Sequence, residues 1–234
     1  MLVTLFTWPC DGSTARRGAS REKNLKLCVS DKQGGFVVLD AESYDKRADE
    51  AMGKNFVPID PVKLKESKQD IVSLLAKENL DSLFGKVKGT KNGCLQVFYA
   101  AKDHKPGIPF RAIVSESGTW QAQVSNFLAK HLARIEVRDP YMIANSRDVL
   151  SYLEGDQGRA VSGFSVDVQD LYYSIPHAKL MSVLRATIEK QGLISFKNVV
   201  GTSCDALLEL LNTYLRSTAV HIKAVTMCNE RGYA

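Results

Sequence analysis

Acidic and aromatic side chains crowd the stretch FSVDVQDLYYSIPH. Asp167 follows a short apolar run, and Asp170, Tyr172 and Tyr173 come directly after it. A carboxylate at the end of a buried strand is a hard oxygen ligand that suits Mg²⁺, together with substrate phosphates and a backbone carbonyl. The same two acids also suit a turn and a cap before the helix that Pro176 begins. The residues themselves leave both roles open.

The two tyrosines also have two explanations. Adjacent tyrosines commonly place one ring in the core and the other at the surface. Alternatively, one ring forms the floor under a nucleotide sugar and sterically rejects a 2′-hydroxyl group. The pair by itself does not decide between these roles.

Basic residues concentrate between Lys86 and Arg111, where six lysines and arginines stand against a single acid, Asp103. Lys102 and Lys105 precede a Pro-Gly pair, which predicts a tight turn, and Arg111 lies on the returning strand. The planar fork of arginine binds phosphate oxygens in pairs, and lysine adds point charge. A two-stranded hairpin with these residues could close over a triphosphate. Lysines also blunt the edges of sheets, and composition by itself favours that simpler explanation.

The composition narrows the class of protein. The chain has 234 residues, of which 44% are hydrophobic and 24% charged, so it can bury a substantial core. A net charge of +5 suits a polyanionic partner without requiring one. The five cysteines lie far apart with no C-x-x-C pair, which indicates reduced thiols in an intracellular protein of the nucleus or cytoplasm. No apolar run approaches the roughly 18 residues of a membrane helix, and no Gly-rich phosphate loop occurs.

Periodicity and turn signals predict the elements that must position these residues. Strands are predicted on both sides of a Lys-Gln-Gly-Gly turn within residues 26–40, in a hairpin over 94–116, over 158–168 with Asp167 at the end, and over 219–227. Helices are predicted over 41–52, within 62–84, over 119–135 and 146–153, from Pro176 to Gly192, and after a segment at 202–205 that resembles a capping box. Residues 1–24 are predicted to be a flexible arm, and 56–61 a link. This order predicts an α+β fold with helices packed on one face of an antiparallel sheet.

Several stretches together resemble the reverse transcriptases of Penelope-like retroelements. KDHKPGIPFRAIVSESGTWQAQVSNFLAKHL is similar to the fingers hairpin and following helix of that family, with its K-x-H-K-P…P-x-R-x-I-V-S pattern. FSVDVQDLYYSIPHAKL is similar to the family's first palm motif. SDKQGGFVVLDAESY resembles its upstream Asp-Lys-Gly-Gly-x-x-Val-Val segment, and YLRSTAVHIKAV resembles the helix-to-strand stretch before the next palm motif. The likeness runs from Leu25 to Val225.

The resemblance implies the right-hand architecture of a polymerase. Fingers would cover residues 25–145, with the basic hairpin over 94–116, and a partial palm would cover 146–234, after the flexible arm over 1–24. The implied activity is that of an RNA-directed DNA polymerase. Such an enzyme transfers a nucleotidyl group from a dNTP to the 3′-hydroxyl of a primer, using two Mg²⁺ ions and an RNA or DNA template.

The resemblance also assigns roles by position. Asp167 matches the first metal-binding aspartate of the palm, with the carbonyl of Val168 as a backbone ligand beside it. Tyr172 matches the aromatic steric gate that favours deoxynucleotides. Arg111 matches the fingers arginine that contacts the triphosphate. The remaining implied contacts are with the incoming nucleotide for Lys102, Lys105, Asp170 and Leu171, and with a template or primer phosphate for Lys32.

Some positions depart from the family's pattern. Ala112 replaces a common proline, and Asp170 stands where the family often has serine. The family takes its remaining metal carboxylates from an aromatic-x-Asp-Asp turn, whereas this sequence contains no Asp-Asp pair. Many such elements also carry a nuclease domain of the GIY-YIG type, and we expect none in this sequence. We therefore expect a fragment of a retrotransposon polymerase that is inactive by itself.

The sequence leaves two alternatives to a polymerase fragment open. One is a non-catalytic nucleic-acid-binding remnant of such an element, because the basic hairpin is present and the set of metal carboxylates is incomplete. The other is an unrelated α+β domain, which requires the ordered likeness of several motifs to be accidental.

Overall fold

The computed structural model of the chain describes residues 5–6, 24–137, 139, 141–155, 164–168, 171–222 and 225–229. Its strands are β1 (Leu5–Phe6), β2 (Leu25–Ser30), β3 (Phe36–Asp40), β4 (Phe56–Pro58), β5 (Gln96–Ala101), β6 (Phe110–Ser115), β7 (Ala219–Ile222) and β8 (Val225–Asn229). Its helices are α1 (Ala41–Gly53), α2 (Pro61–Lys77), α3 (Asp81–Gly89), α4 (Trp120–Leu132), α5 (Ser146–Gly155), α6 (Leu171–Ser174), α7 (His177–Gln191), α8 (Leu193–Val200) and α9 (Cys204–Arg216). The fold is therefore a mixture of helices and sheet, as predicted.

A five-stranded sheet in the order β1-β3-β2-β5-β6 contains both predicted hairpins. β2 and β3 pair antiparallel, with Cys28 opposite Val37, and β5 and β6 pair antiparallel, with Ala100 opposite Arg111. The predicted arm over 1–24 lies outside the described residues, except for Asn24 and for β1, which pairs with β3.

The prediction of a purely antiparallel sheet is wrong for one pair of strands. β2 and β5 run parallel, with Val29 opposite Ala100 and Ser30 opposite Ala101. The reason is topological, since α1, β4, α2 and α3 lie between β3 and β5 in the chain. β3 already brings the chain back to the edge from which β2 started, and the long connection then begins β5 at that same edge beside β2, so that β5 runs in the direction of β2.

Helix α1 covers the inner face of this sheet. Asp40 begins it as the N-cap, because its carboxylate accepts a hydrogen bond from the backbone N–H of Ser43 at 2.7 Å. Ala48 packs against Val37 and Leu39 in a buried cluster that also contains Phe110. The predicted helix over 41–52 is confirmed.

The largest core lies between helices. It joins Ile71 and Leu75 of α2 with Trp120 of α4 and with Leu207 and Leu210 of α9, all of which are nearly inaccessible to water. The predicted helix over 119–135 is confirmed, with the side chain of its N-cap threonine accepting from a backbone N–H of the first turn. This core contains residues from both sides of the predicted boundary between 145 and 146, and the division into fingers and palm stays a prediction.

A separate three-stranded antiparallel sheet has the order β4-β8-β7. The prediction of a link over 56–61 is wrong at β4, where buried Phe56 pairs with β8. Pro58 is tolerated because β4 is an edge strand. The single strand predicted over 219–227 is instead the hairpin of β7 and β8. Alternation of apolar and polar residues continues through both arms without Gly or Pro, so the pattern gives no sign of the turn.

The strand predicted over 158–168 is not found in its described part. Residues 164–168 form neither helix nor strand, and Phe164 and Val166 are 92% and 83% exposed. An apolar run becomes a strand only when a neighbouring strand pairs its backbone groups, and no described strand lies beside this segment. Residues 158–163 lie outside the described part of the chain.

The helices after this segment follow the predicted signals. α7 begins after its N-cap, Pro176, and ends at Gly192, which has a φ of 98°. Ser203 caps α9 by accepting from the backbone N–H of Ala206 at 3.1 Å. The short helices α6 and α8 were not predicted. In the described residues no helix has both the length and the apolar composition needed to cross a membrane.

The cysteines provide a test of the second sheet. Cys228 is fully buried in β8, between Val57 of β4 and Ala219 of β7, and burial raises its pKa to about 11. At pH 8 its sulfur is therefore protonated and unreactive. We expect iodoacetamide at pH 8 to modify the partly exposed Cys94 of the folded chain, and Cys228 only in urea, as measured by peptide mass spectrometry. Labelling of both thiols at one rate would contradict the central position of β8.

Candidate functional site

The parallel strands β2 and β5 end side by side, and the residues that follow them form one edge of the sheet. The backbone N–H of Asp31 donates to the carbonyl of Ala101 at 2.9 Å. The hydroxyl of Ser30 donates to Asp103 Oδ2, also at 2.9 Å. These two bonds fasten the turn after β2 to the loop between β5 and β6.

The loop between β5 and β6 has a defined backbone. The N–H of Lys105 donates to the carbonyl of Lys102 at 2.9 Å, and the N–H of Ile108 donates to the carbonyl of Lys105 at 3.1 Å. Gly107 and Ile108 both have positive φ, of 76° and 48°. A β-branched residue in this region is strained, and here the burial of the Ile108 side chain beside α1 retains it. Arg47 of α1 also donates to the carbonyl of Gly107.

An ion pair connects the two segments at this edge. Arg111 Nη1 lies 3.0 Å from Asp31 Oδ1. The Asp31 side chain is 5% exposed, whereas that of Arg111 is 53% exposed. The second carboxylate oxygen, Asp31 Oδ2, is buried and has no hydrogen-bond partner among the residues that the structure describes. One end of the guanidinium is thus held by a buried acid, while the rest of the group faces solvent.

Asp103 is the second buried acid of the site. Its side chain is 3% exposed, and Oδ1 lies 3.8 Å from His104 Nδ1 without forming a hydrogen bond. In contrast, Lys32 and Lys105 are exposed. Because the acids are inside and the bases outside, this edge presents positive charge to solvent.

We define the hairpin tip as the turn over 31–35 together with residues 102–111. All four basic residues that were predicted to contact phosphates belong to it: Lys32, Lys102, Lys105 and Arg111. The structure therefore brings together two groups of predicted residues that lie far apart in the sequence.

The predicted palm residues have a different environment. Asp167 and Val168 are exposed, and no described contact links Asp167 to the hairpin tip. Leu171 begins α6 and is 46% exposed. Asp170 and the side chain of Tyr172 lie outside the described residues.

Tyr173 fixes the position of α6. Its ring packs edge-on against Phe56 of β4, with 5.7 Å between the ring centroids. The same cluster contains Leu95, Val220 and inward-facing residues of β5 and β6. The predicted palm motif is thus attached next to the two strands that carry the hairpin tip.

The described residues do not complete the metal site that the sequence resemblance implies. Nowhere in the described ranges do three His, Cys, Asp or Glu side chains come close enough together to bind one ion. Asp167 supplies one carboxylate, whereas Mg²⁺ requires a nearly octahedral set of oxygen ligands. A pair of Mg²⁺ ions therefore does not fit the described ligands.

Sequence reasoning missed three residues that shape the hairpin tip, namely Ser30, Asp31 and Asp103. Each acid stands beside a lysine, and this arrangement resembles the alternating charges of a solvated surface. Only the parallel pairing of β2 and β5 shows that both acids are buried. The one available signal was that Asp31 opens the Asp-Lys-Gln-Gly segment and Asp103 lies inside the K-x-H-K pattern.

Comparison of the chain with models of known protein families, with curated proteins and with solved structures finds no match. The functional assignment depends on the geometry of the hairpin tip and on the sequence resemblance.

Proposed function

We propose that this chain is the fingers and part of the palm of an RNA-directed DNA polymerase from a Penelope-like retroelement. The activity of the whole enzyme would be template-directed phosphoryl transfer from a dNTP to a primer 3′-hydroxyl. One observation carries the proposal. The Asp-Lys-Gln-Gly segment and the K-x-H-K…R hairpin, which both contribute to the sequence resemblance, contact each other through Asp31 and Arg111.

The charge of the hairpin tip supports a triphosphate as the ligand. A triphosphate carries several negative charges within a few ångströms, and a compact group of lysines and an arginine matches it. Arg111 offers further N–H donors beyond the one directed at Asp31. Lys102 and Lys105 belong to the loop between β5 and β6, and Lys32 belongs to the turn after β2, where we propose that it contacts a template or primer strand.

For the palm, we propose Asp167 as a ligand of Mg²⁺, assisted by the carbonyl of Val168. When bound, the ion supplies positive charge to the phosphates of the nucleotide. The exposed carboxylate of Asp167 is accessible to an ion and a nucleotide. Asp170, Leu171 and Tyr172 then adjoin the nucleotide, with Tyr172 as the sugar gate, and Tyr173 anchors the helix that Leu171 begins on Phe56.

The basic hairpin tip, together with a sequence that contains no Asp-Asp pair, motivates a second function. The chain would then bind nucleic acid without catalysis, as a remnant of such an element. Both functions place the protein in the nucleus or cytoplasm, where its thiols stay reduced and nucleic acid is present.

Binding of nucleic acid tests both functions. We expect the chain to bind a labelled RNA–DNA primer-template with an affinity that falls between about 50 and 200 mM salt, because phosphate contacts release counterions. Replacing Lys102, Lys105 or Arg111 with alanine should weaken binding and lower the salt slope by about 1 for each phosphate that is no longer neutralised. Fluorescence anisotropy measures both quantities.

The matched control is Lys65→Ala, which removes an equal charge from the exposed surface of α2, outside the hairpin tip. It should leave affinity and slope unchanged. An affinity independent of salt, or an equal loss of affinity in the control, would contradict a nucleic-acid site at the hairpin tip.

Catalysis by the chain alone is a separate expectation. Because one carboxylate does not hold two Mg²⁺ ions, a primer-extension assay with Mg²⁺ and all four dNTPs should show no incorporation. Incorporation that is abolished by Asp167→Asn would overturn the expectation of inactivity and show that this chain completes its own metal site.

A further inference from the structure

We propose that Asp31 is a positioning residue, which holds the guanidinium of Arg111 in place for the phosphates of a nucleotide. The inference rests on the proposed nucleotide site and adds a residue that the sequence resemblance leaves without a role. Asp31 is too deeply buried to contact the ligand itself, so it acts through Arg111.

The burial of Asp31 requires an explanation. A carboxylate removed from water is costly unless it is paired and hydrogen-bonded. Its described ion-pair partner is Arg111, which reaches only Oδ1 and leaves Oδ2 without a hydrogen bond. Replacing a buried ionic group with an apolar one is often neutral or stabilising, so stability alone does not explain an acid at this position. The presence of the acid is therefore better explained by its effect on the position of the Arg111 side chain.

The effect on Arg111 follows from the flexibility of arginine. An arginine on a strand surface samples many rotamers, and a ligand that binds it must stop this motion. The contact with Asp31 restricts the rotamers of Arg111 before any ligand binds. The acid is also buried, with 5% of its side chain exposed, whereas 53% of the Arg111 side chain is exposed, so part of the arginine side chain stays accessible to a ligand.

The backbone around Asp31 makes the support rigid. The N–H of Asp31 is bonded to Ala101, and the neighbouring Ser30 is bonded to Asp103. The carboxylate consequently has a fixed position relative to β5 and β6. Arg111, Lys102 and Lys105 are presented by those same strands and their loop, and a phosphate group would meet a constant arrangement of charges.

The substitution Asp31→Asn distinguishes a positioning role from a purely electrostatic one, because the two roles predict opposite changes in the affinity for an anion. Asp31→Asn removes a negative charge 3.0 Å from Arg111. If the acid only lowered the local potential, its removal would strengthen the binding of an anion. If it positions Arg111, its removal should weaken the binding, because Asn accepts a weaker hydrogen bond from the guanidinium.

The experiment measures the Kd of dTTP with Mg²⁺ by isothermal titration calorimetry on the full chain. We expect Arg111→Ala to weaken binding about tenfold or more and Asp31→Asn to weaken it about three- to tenfold. In the Arg111→Ala background, Asp31→Asn should have no further effect, since it acts through that side chain. The proposal would be overturned if the double variant bound dTTP more weakly than Arg111→Ala does. It would also be overturned if Asp31→Asn alone bound dTTP more tightly than the unsubstituted chain does.

Two further variants control for charge and for folding. Asp45→Asn removes an acid of the same charge from α1, where Asp45 pairs with Lys26 of β2, and it should leave the Kd unchanged. Asp31→Glu keeps the charge but displaces the carboxylate, and it should weaken binding by a similar factor as Asp31→Asn. If Asp31→Asn does not fold, as judged by urea unfolding, Asp31→Glu decides, and an unchanged Kd would contradict the proposal.

The outcomes distinguish the inference from the proposed function. If the unsubstituted chain binds dTTP and Arg111→Ala does not, the nucleotide site stands, and the result for Asp31 decides the inference alone. If the unsubstituted chain does not bind dTTP, the proposed nucleotide site fails, and the inference fails with it.

Discussion

The parallel pairing of β2 and β5 is the constraint on which the candidate site depends. It brings the ends of both strands to one edge of the sheet, where Ser30 bonds to Asp103 and Asp31 bonds to Ala101. A hairpin alone would present its lysines on a loop without support. The crossover through α1, β4, α2 and α3 supplies that support, because it returns the chain beside β2 before the hairpin begins.

Burial then separates the charges by sign. The two acids of the hairpin tip lie inside, whereas Lys32, Lys105 and part of Arg111 face solvent, although the sequence alternates acids and bases. Arg111 links the two layers, since it contacts Asp31 on one side and solvent on the other. This arrangement converts an ordinary charged hairpin into a surface of one sign with a defined shape, and that is the property a polyphosphate or a nucleic-acid backbone requires.

The elements with strong local signals were predictable from the sequence. Apolar periodicity located α4, and the Lys-Gln-Gly-Gly and Pro-Gly turns located both hairpins of the larger sheet. Local patterns do not report which strands become neighbours, so the parallel pair, the strand at Phe56 and the burial of Asp31 and Asp103 were missed. The basic half of the site was predicted through the sequence resemblance, because residue types alone left the hairpin lysines and arginine with two explanations. Its acidic half depends on the pairing of β2 with β5, which local patterns do not report. The exposed segment around Asp167 does not form its predicted strand because no described strand pairs with it.

The most direct test of a nucleotide site at the hairpin tip is photo-crosslinking with a dNTP that carries an aryl azide on its γ-phosphate. Mass spectrometry of the labelled peptides locates the phosphates. Labels within residues 31–35 and 102–111, competed by unmodified dNTP, are the expected result. Labels confined to another region with basic residues, such as the groove that Arg134 and Lys190 line between the segment after α4 and the helices α7 and α8, would contradict it.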